Sequence, residues 1–128
     1  MNIFNTVNAN EIKEIHVTGR RWFQRSYGNT YHSVNVAAVV SRETANRLDP
    51  IAYPITQRNS DVWIDLGDVG FAYGYDRGFE QTALSILIEA VSDAPQEWKQ
   101  NSYACQVATA LNVPYTESVY DVSRKKDL

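Results

Sequence analysis

Within one short stretch, Arg20, Arg21, Trp22, Arg25, Tyr27 and Tyr31 combine fixed positive charge with flat aromatic rings. Arginine neutralises phosphate, and an aromatic ring offers a stacking surface to an unpaired base. A β-surface carrying both is a platform for single-stranded nucleic acid or RNA. A competing reading packs Trp22 against Tyr31 across strands and pairs the arginines with acidic groups elsewhere. No RNP-type signature accompanies the stretch. Arg124, Lys125 and Lys126 make residues 124–128 a basic tail, which either adds phosphate contacts or stays solvated.

Other chemistry is thinner. His32 falls in phase with Val34 and Val36, so it is either a general base near neutral pH or a half-buried, hydrogen-bonded member of a sheet. His16 is expected on the opposite face, which leaves no two-histidine metal or catalytic site. Asp65, Asp68 and Asp76 lack the spacing of a calcium loop and read as turn formers. Gly70 and Gly74 lack the Lys-Ser/Thr ending of a phosphate loop. Cys105 sits among small residues without a basic neighbour, which suits packing better than nucleophilic chemistry. No catalytic residue, metal site or cofactor is expected.

The elements that must position these groups can be read from periodicity. Residues 13–25 alternate, with Ile15, Val17, Gly19, Arg21 and Phe23 on one face and His16, Thr18, Arg20, Trp22 and Gln24 on the other. Ser26-Tyr27-Gly28-Asn29 supplies a turn, and a second strand runs from Thr30 to about Val40. The expected register sets Arg25 opposite Thr30, Phe23 opposite His32, Arg21 opposite Val34 and Trp22 opposite Ser33. Residues 41–60 read as a loop insertion, with a short helical turn from Ser41 to Leu48 broken by Asp49-Pro50 and Tyr53-Pro54. Residues 61–66 read as a strand, Gly67-Asp68 as a turn, and 69–75 as another short strand. A helix is expected over 77–92 with Asp76 as its N-cap, from Phe79, Ala83, Ile86, Leu87 and Ala90. A second follows Pro95 with Tyr103, Val107, Ala108 and Leu111, ended by Asn112. Residues 117–122 return to strand character. The pattern describes one α+β domain over residues 1–128. A mostly antiparallel sheet comprises the hairpin, one or two further strands and a C-terminal strand, with two helices packed on one face.

At 128 residues and 44% apolar composition, the chain can bury a core without disulfides. The absence of an 18-residue apolar run argues against a transmembrane span, and one cysteine suits a reducing cytoplasm. Met1-Asn2-Ile3-Phe4-Asn5 has no basic region leading an apolar stretch, so no secretion signal is expected. The net charge of −3 argues against polyanion binding by the whole surface, but its distribution is uneven. Residues 1–58 hold seven Lys/Arg against four Asp/Glu, and residues 59–123 hold two against ten. A basic front thus precedes an acidic flank.

Three segments also carry a resemblance. Val17-Thr18-Gly19-Arg20-Arg21-Trp22-Phe23-Gln24 running on to Tyr27-Gly28-Asn29-Thr30-Tyr31-His32-Ser33-Val34, then Phe71-Ala72-Tyr73-Gly74-Tyr75 leading to Gln81-Thr82-Ala83, and finally residues 119–128 together resemble a group of small, uncharacterised bacteriophage accessory proteins. Residues 41–60 are longer than that group's usual connection, and Asp76-Arg77-Gly78 departs from its pattern. The resemblance implies a phage origin and a bacterial cytoplasm, and it implies no activity. The expected function is therefore non-catalytic binding of a macromolecule, nucleic acid or host protein, through Arg20, Arg21, Trp22, Arg25, Tyr27, Tyr31, His32, Arg124, Lys125 and Lys126. One alternative is inhibition of a host or defence enzyme through the acidic 61–97 region. Another is a small nucleotide- or nucleic-acid-processing enzyme using His32.

Overall fold

Two long alternating segments form the centre of the molecule. The computed structural model describes residues 1–48, 55–57 and 61–128. Strands β2 (Glu14–Gln24) and β3 (Asn29–Ser41) pair as an antiparallel hairpin. Gly28 takes φ +69 as the last loop residue, and its N–H donates to the Gln24 carbonyl at 2.8 Å. A left-handed backbone favours glycine there, so Asn29 already belongs to the strand. The loop thus lies one residue earlier than the sequence suggested. Every cross-strand pair moves by two positions: Arg21 faces His32, Phe23 faces Thr30, and Trp22 faces Tyr31. A shift of two keeps each side chain on its own face, so the expected faces survive while the expected partners change.

The rest of the sheet grows outward from this hairpin. Strand β5 (Asp61–Tyr73) pairs antiparallel with β3, with register shifts between His32 and Val34 and between Val36 and Ala37. No turn occurs at Gly67-Asp68. The chain runs through, and Gly67 is needed because a Cβ there would lie 2.6 Å from the Asn2 carbonyl of β1 (Asn2–Ile3). Strand β4 (Ile55–Gln57) also pairs with β5. At the other edge β6 (Tyr115–Val122) runs parallel to β2, making the sheet mixed. The order is β1-β5-β3-β2-β6, with β4 off this path beside β5.

Three α-helices are present among the described residues, one more than the two expected to pack on the sheet. Helix α1 (Arg42–Arg47) begins at Ser41, whose hydroxyl accepts the Thr44 N–H at 3.1 Å. The prolines expected to break it, Pro50 and Pro54, lie outside the described residues. Helix α2 (Gly78–Ala90) starts after Arg77 rather than Asp76, because Asp76 adopts φ +50 and turns the chain instead of capping it. Residues 96–100 make a 3-10 turn, and α3 (Ala104–Leu111) ends at the left-handed Asn112, as its sequence predicts. No helix among the described residues is long and apolar enough to cross a membrane.

The core lies on one face of the sheet. Ile15, Val17, Val34, Val36, Ala38, Val40, Val62, Ile64 and Leu66 meet Phe79, Ala83, Ile86 and Leu87 of α2. Val107 and Ala108 of α3, Ala45 of α1 and Trp98 complete the cluster. Each fully buried large aliphatic or aromatic side chain there stabilises by roughly 1.5–3 kcal/mol. On the opposite face, Ala37 and Val39 are buried at the end where His16 stacks on Trp63 at 4.1 Å. The other end, at the hairpin loop, carries exposed rings.

Candidate functional site

Register brings rings from three adjacent strands together at that end. Trp22 of β2 faces Tyr31 of β3, which faces Tyr73 of β5. Trp22 and Tyr31 are stacked with centroids 5.8 Å apart, and Tyr31 and Phe71 are stacked at 4.7 Å. Tyr73 meets Tyr31 edge-on at 5.6 Å, and Tyr75 meets Tyr73 edge-on at 5.4 Å. Such contacts add about 0.5–1.5 kcal/mol each beyond area burial. The Tyr75 hydroxyl lies 3.3 Å from the Gly28 carbonyl and from Asn29 Oδ1, which holds the outermost ring against the hairpin loop. Phe71 stays 47% exposed and Tyr73 58% exposed, and Tyr120 of β6 is exposed on the same face.

The cations divide between the two faces. Arg20 alternates with Trp22 on the open face, beside Tyr120, and is exposed. Among the described residues, Arg20, Arg25, and Lys126 carry no ion pair. Arg25 lines a cleft of about 570 Å³ with Trp22, Phe23, Val122 and Ser123. Tyr27 stands at the loop tip, 77% exposed. Arg21 points to the helix-covered face, where its Nε donates to Asp121 Oδ1 at 2.9 Å and an Nη donates to the Asp76 carbonyl at 3.3 Å. The competing sequence reading thus holds for the cross-strand packing of Trp22 on Tyr31 and for Arg21, which pairs with an acid, and not for Arg20 or Arg25.

The tail reaches the rings from the far edge. Residues 125–127 form a 3-10 turn, in which Arg124 Nε donates to Asp127 Oδ2 at 3.1 Å. The Lys125 ammonium lies over the Phe71 ring, 4.8 Å from its centroid. Since β2 and β3 separate β6 from β5, this contact requires the tail to cross the open face.

His32 belongs elsewhere. It is buried beneath α2, with Nε2 2.7 Å from Thr82 Oγ1 and Nδ1 without a partner among the described residues. A Cβ on Gly74 would sit 3.1 Å from the ring, so glycine at this turn makes room for the imidazole. Burial pushes the His32 pKa down, with the Gly74 backbone opposing in part. His32 is therefore removed from the surface that holds Trp22 and Tyr31. The enzyme reading needs His32, Arg21 or Arg20, and Tyr27 together. His32 and Arg21 are cross-strand partners on the helix-covered face, whereas Arg20 lies on the open face and Tyr27 at the loop tip.

A second polar cluster lies under the helices and was not anticipated. Arg77 Nη2 lies 2.6 Å from Oε2 of the fully buried Glu80 and donates to both carboxylate oxygens of Glu117 on β6 at 2.8 and 2.9 Å. The Tyr115 hydroxyl lies 2.9 Å from both Glu80 and Glu117. Burial and these two carboxylates push the Tyr115 pKa far up. Burial alone would raise Glu117, but hydrogen bonds from Arg77 and Tyr115 hold it below the usual carboxylate range. Burial and then Glu80 push the Cys105 thiol up, which disfavours the nucleophilic thiolate. Each member of this cluster is spent on another, so it ties α2 to the parallel edge strand. Among the described residues no group of three His, Cys, Asp or Glu side chains could hold a metal ion.

Phe71, Tyr73 and Tyr75 are the site residues that sequence reasoning left out. Their spacing of two was the available signal, since alternate residues of a strand share a face. The expected turn at Gly67-Asp68 obscured that they extend a strand already packed on the hairpin. No protein-family model, no curated protein and no solved structure matches this chain.

Proposed function

We propose that the chain is a non-catalytic binding protein that holds single-stranded nucleic acid on the open face of its sheet, in keeping with a bacteriophage accessory role in the host cytoplasm. One observation carries this reading: a run of rings across adjacent strands, Trp22, Tyr31, Phe71 and Tyr73, is flanked by Arg20 and Arg25, which have no ion pair among the described residues. Rings alone would suit many apolar partners. Rings beside unneutralised guanidinium groups suit a ligand with flat bases and a phosphate backbone. The net charge does not oppose this, because attraction over distances within a Debye length of about 8–10 Å depends on local charge.

The acidic 61–97 region offers less to a basic partner than its composition suggests. Asp61 pairs with Lys13, Asp68 accepts from Asn2, Glu80 is buried against Arg77, and Asp93 accepts the Ala9 N–H. The test is fluorescence anisotropy of labelled 12-residue oligo(dT) and oligo(U) at rising salt. Binding that weakens steeply with salt supports the reading. An unchanged anisotropy for both probes at low salt removes it.

A further inference from the structure

Phe71 is occupied on both sides. A stacked Tyr31 ring with centroids 4.7 Å apart and planes 17° apart covers one face. The Lys125 ammonium, 4.8 Å from the same centroid, must then lie over the other. A base can stack on Phe71 only where Lys125 now sits. We propose that residues 124–128 are a strap that closes the ring platform in the free protein and lifts when single-stranded nucleic acid binds. This rests on the nucleic-acid reading above and adds its regulation.

The strap is built to move as a unit. Its internal bonds are local: Asp127 N–H to the Arg124 carbonyl at 3.0 Å, Leu128 N–H to the Lys125 carbonyl at 3.2 Å, and the Arg124–Asp127 ion pair. Among the polar and ring contacts of the described residues, Lys125 on Phe71 is the one that ties this turn to the sheet, beside the partly buried Asp127 and Leu128. An exposed cation on a ring is a weak tether, and the side chains of Arg124, Lys125 and Lys126 are otherwise solvent-exposed. Detachment therefore leaves the sheet, its core and the Arg77 cluster untouched. The lysine also resembles what it displaces in one respect only: it satisfies the negative ring face while the ligand is away.

The sign of one substitution tests this. Lys125→Ala removes a positive charge, so if Lys125 served as a phosphate contact, binding would weaken and the salt slope would fall by about one. A strap predicts the reverse: Lys125→Ala binds the labelled oligonucleotides roughly two- to fivefold tighter, the factor an exposed cation–ring contact is worth. Proton NMR of the full chain supplies a second readout. In the free protein the Lys125 ε-methylene protons are shifted upfield by the Phe71 ring, and the shift collapses as oligo(dT) or oligo(U) is added. Weaker or equal binding by Lys125→Ala, or binding with the ring shift intact, overturns the strap and leaves the nucleic-acid reading standing. Binding by Lys125→Ala alone supports both. No binding by either protein overturns both.

Discussion

The two faces of the sheet are built from the same strands and treat their polar groups in opposite ways. On the helix-covered face, Arg77, Glu80, Tyr115 and Glu117 satisfy one another, and Arg21 is held by Asp121. On the open face at the hairpin end, rings stack on rings, and Arg20 has no acidic partner among the described residues. Buried charge is costly unless paired, which forces a partner on Glu80, the one fully buried member of that group. Solvent removes that constraint on the second face, so unpaired cations persist there beside half-exposed rings. The contrast is sharpest between neighbours: Arg21 and Trp22 are adjacent in the chain, yet one belongs to the fold and the other to the surface.

The largest effect expected from breaking this division lies in the core. Phe79→Ala removes a fully buried ring packed against Gly19 and should cost about 3–5 kcal/mol in urea unfolding. Trp22→Ala should cost only about 0.5–1.5 kcal/mol in the same unfolding, the worth of its stack on Tyr31, while lowering oligonucleotide affinity by about 1–3 kcal/mol. Equal destabilisation by the two variants would mean that the open face is a second core rather than a binding surface.

A pH series sharpens the comparison further. Burial depresses the His32 pKa below 6.5, so the folded state binds fewer protons than the unfolded chain as the medium acidifies. Stability present above pH 6.5 is therefore lost as pH falls below that value. His16, half-buried against Trp63, acts in the same direction, with Glu14 opposing. Glu117, held below 4.5, adds a second loss as pH falls below its unfolded value. Urea midpoints should decline in two stages on acidification, and the His32 ring should titrate by NMR below 6.5. A midpoint unchanged between pH 7 and pH 5 would contradict the neutral, buried imidazole.

The smallest expected effects separate the two arginines. Arg20→Ala should weaken binding for all oligonucleotide sequences alike and lower the salt slope by about one. Arg21→Ala should leave that slope unchanged, since its guanidinium is engaged by Asp121 on the other face. Identical slopes for the two variants would dissolve the assignment of faces.

Much of the scaffold was legible in periodicity. Alternation placed Val17 and Trp22 on opposite faces, helical spacing located α2, and Asn112 marked the end of α3. The ring platform was legible only in part. Trp22 and Tyr31 stood out by type, and one reading packed them across strands, but the expected register set Trp22 opposite Ser33 instead. Their contact depends on which residue of the loop takes the left-handed backbone, a choice between Gly28 and Asn29 that local preference leaves open. The parallel pairing of β6 was equally hidden, because parallel and antiparallel edge strands share one alternation.

The amino-acid sequence by itself determined which residues share a face, because the pleat of a strand and the turn of a helix follow from local backbone geometry. Only the tertiary structure decided which faces are covered and which strands are neighbours. Those depend on contacts between residues far apart in the chain: β5 delivers Phe71 and Tyr73 to the hairpin, β6 delivers Asp121 to Arg21, and the tail delivers Lys125 to Phe71. The platform is a property of that assembly, since no single segment contains it.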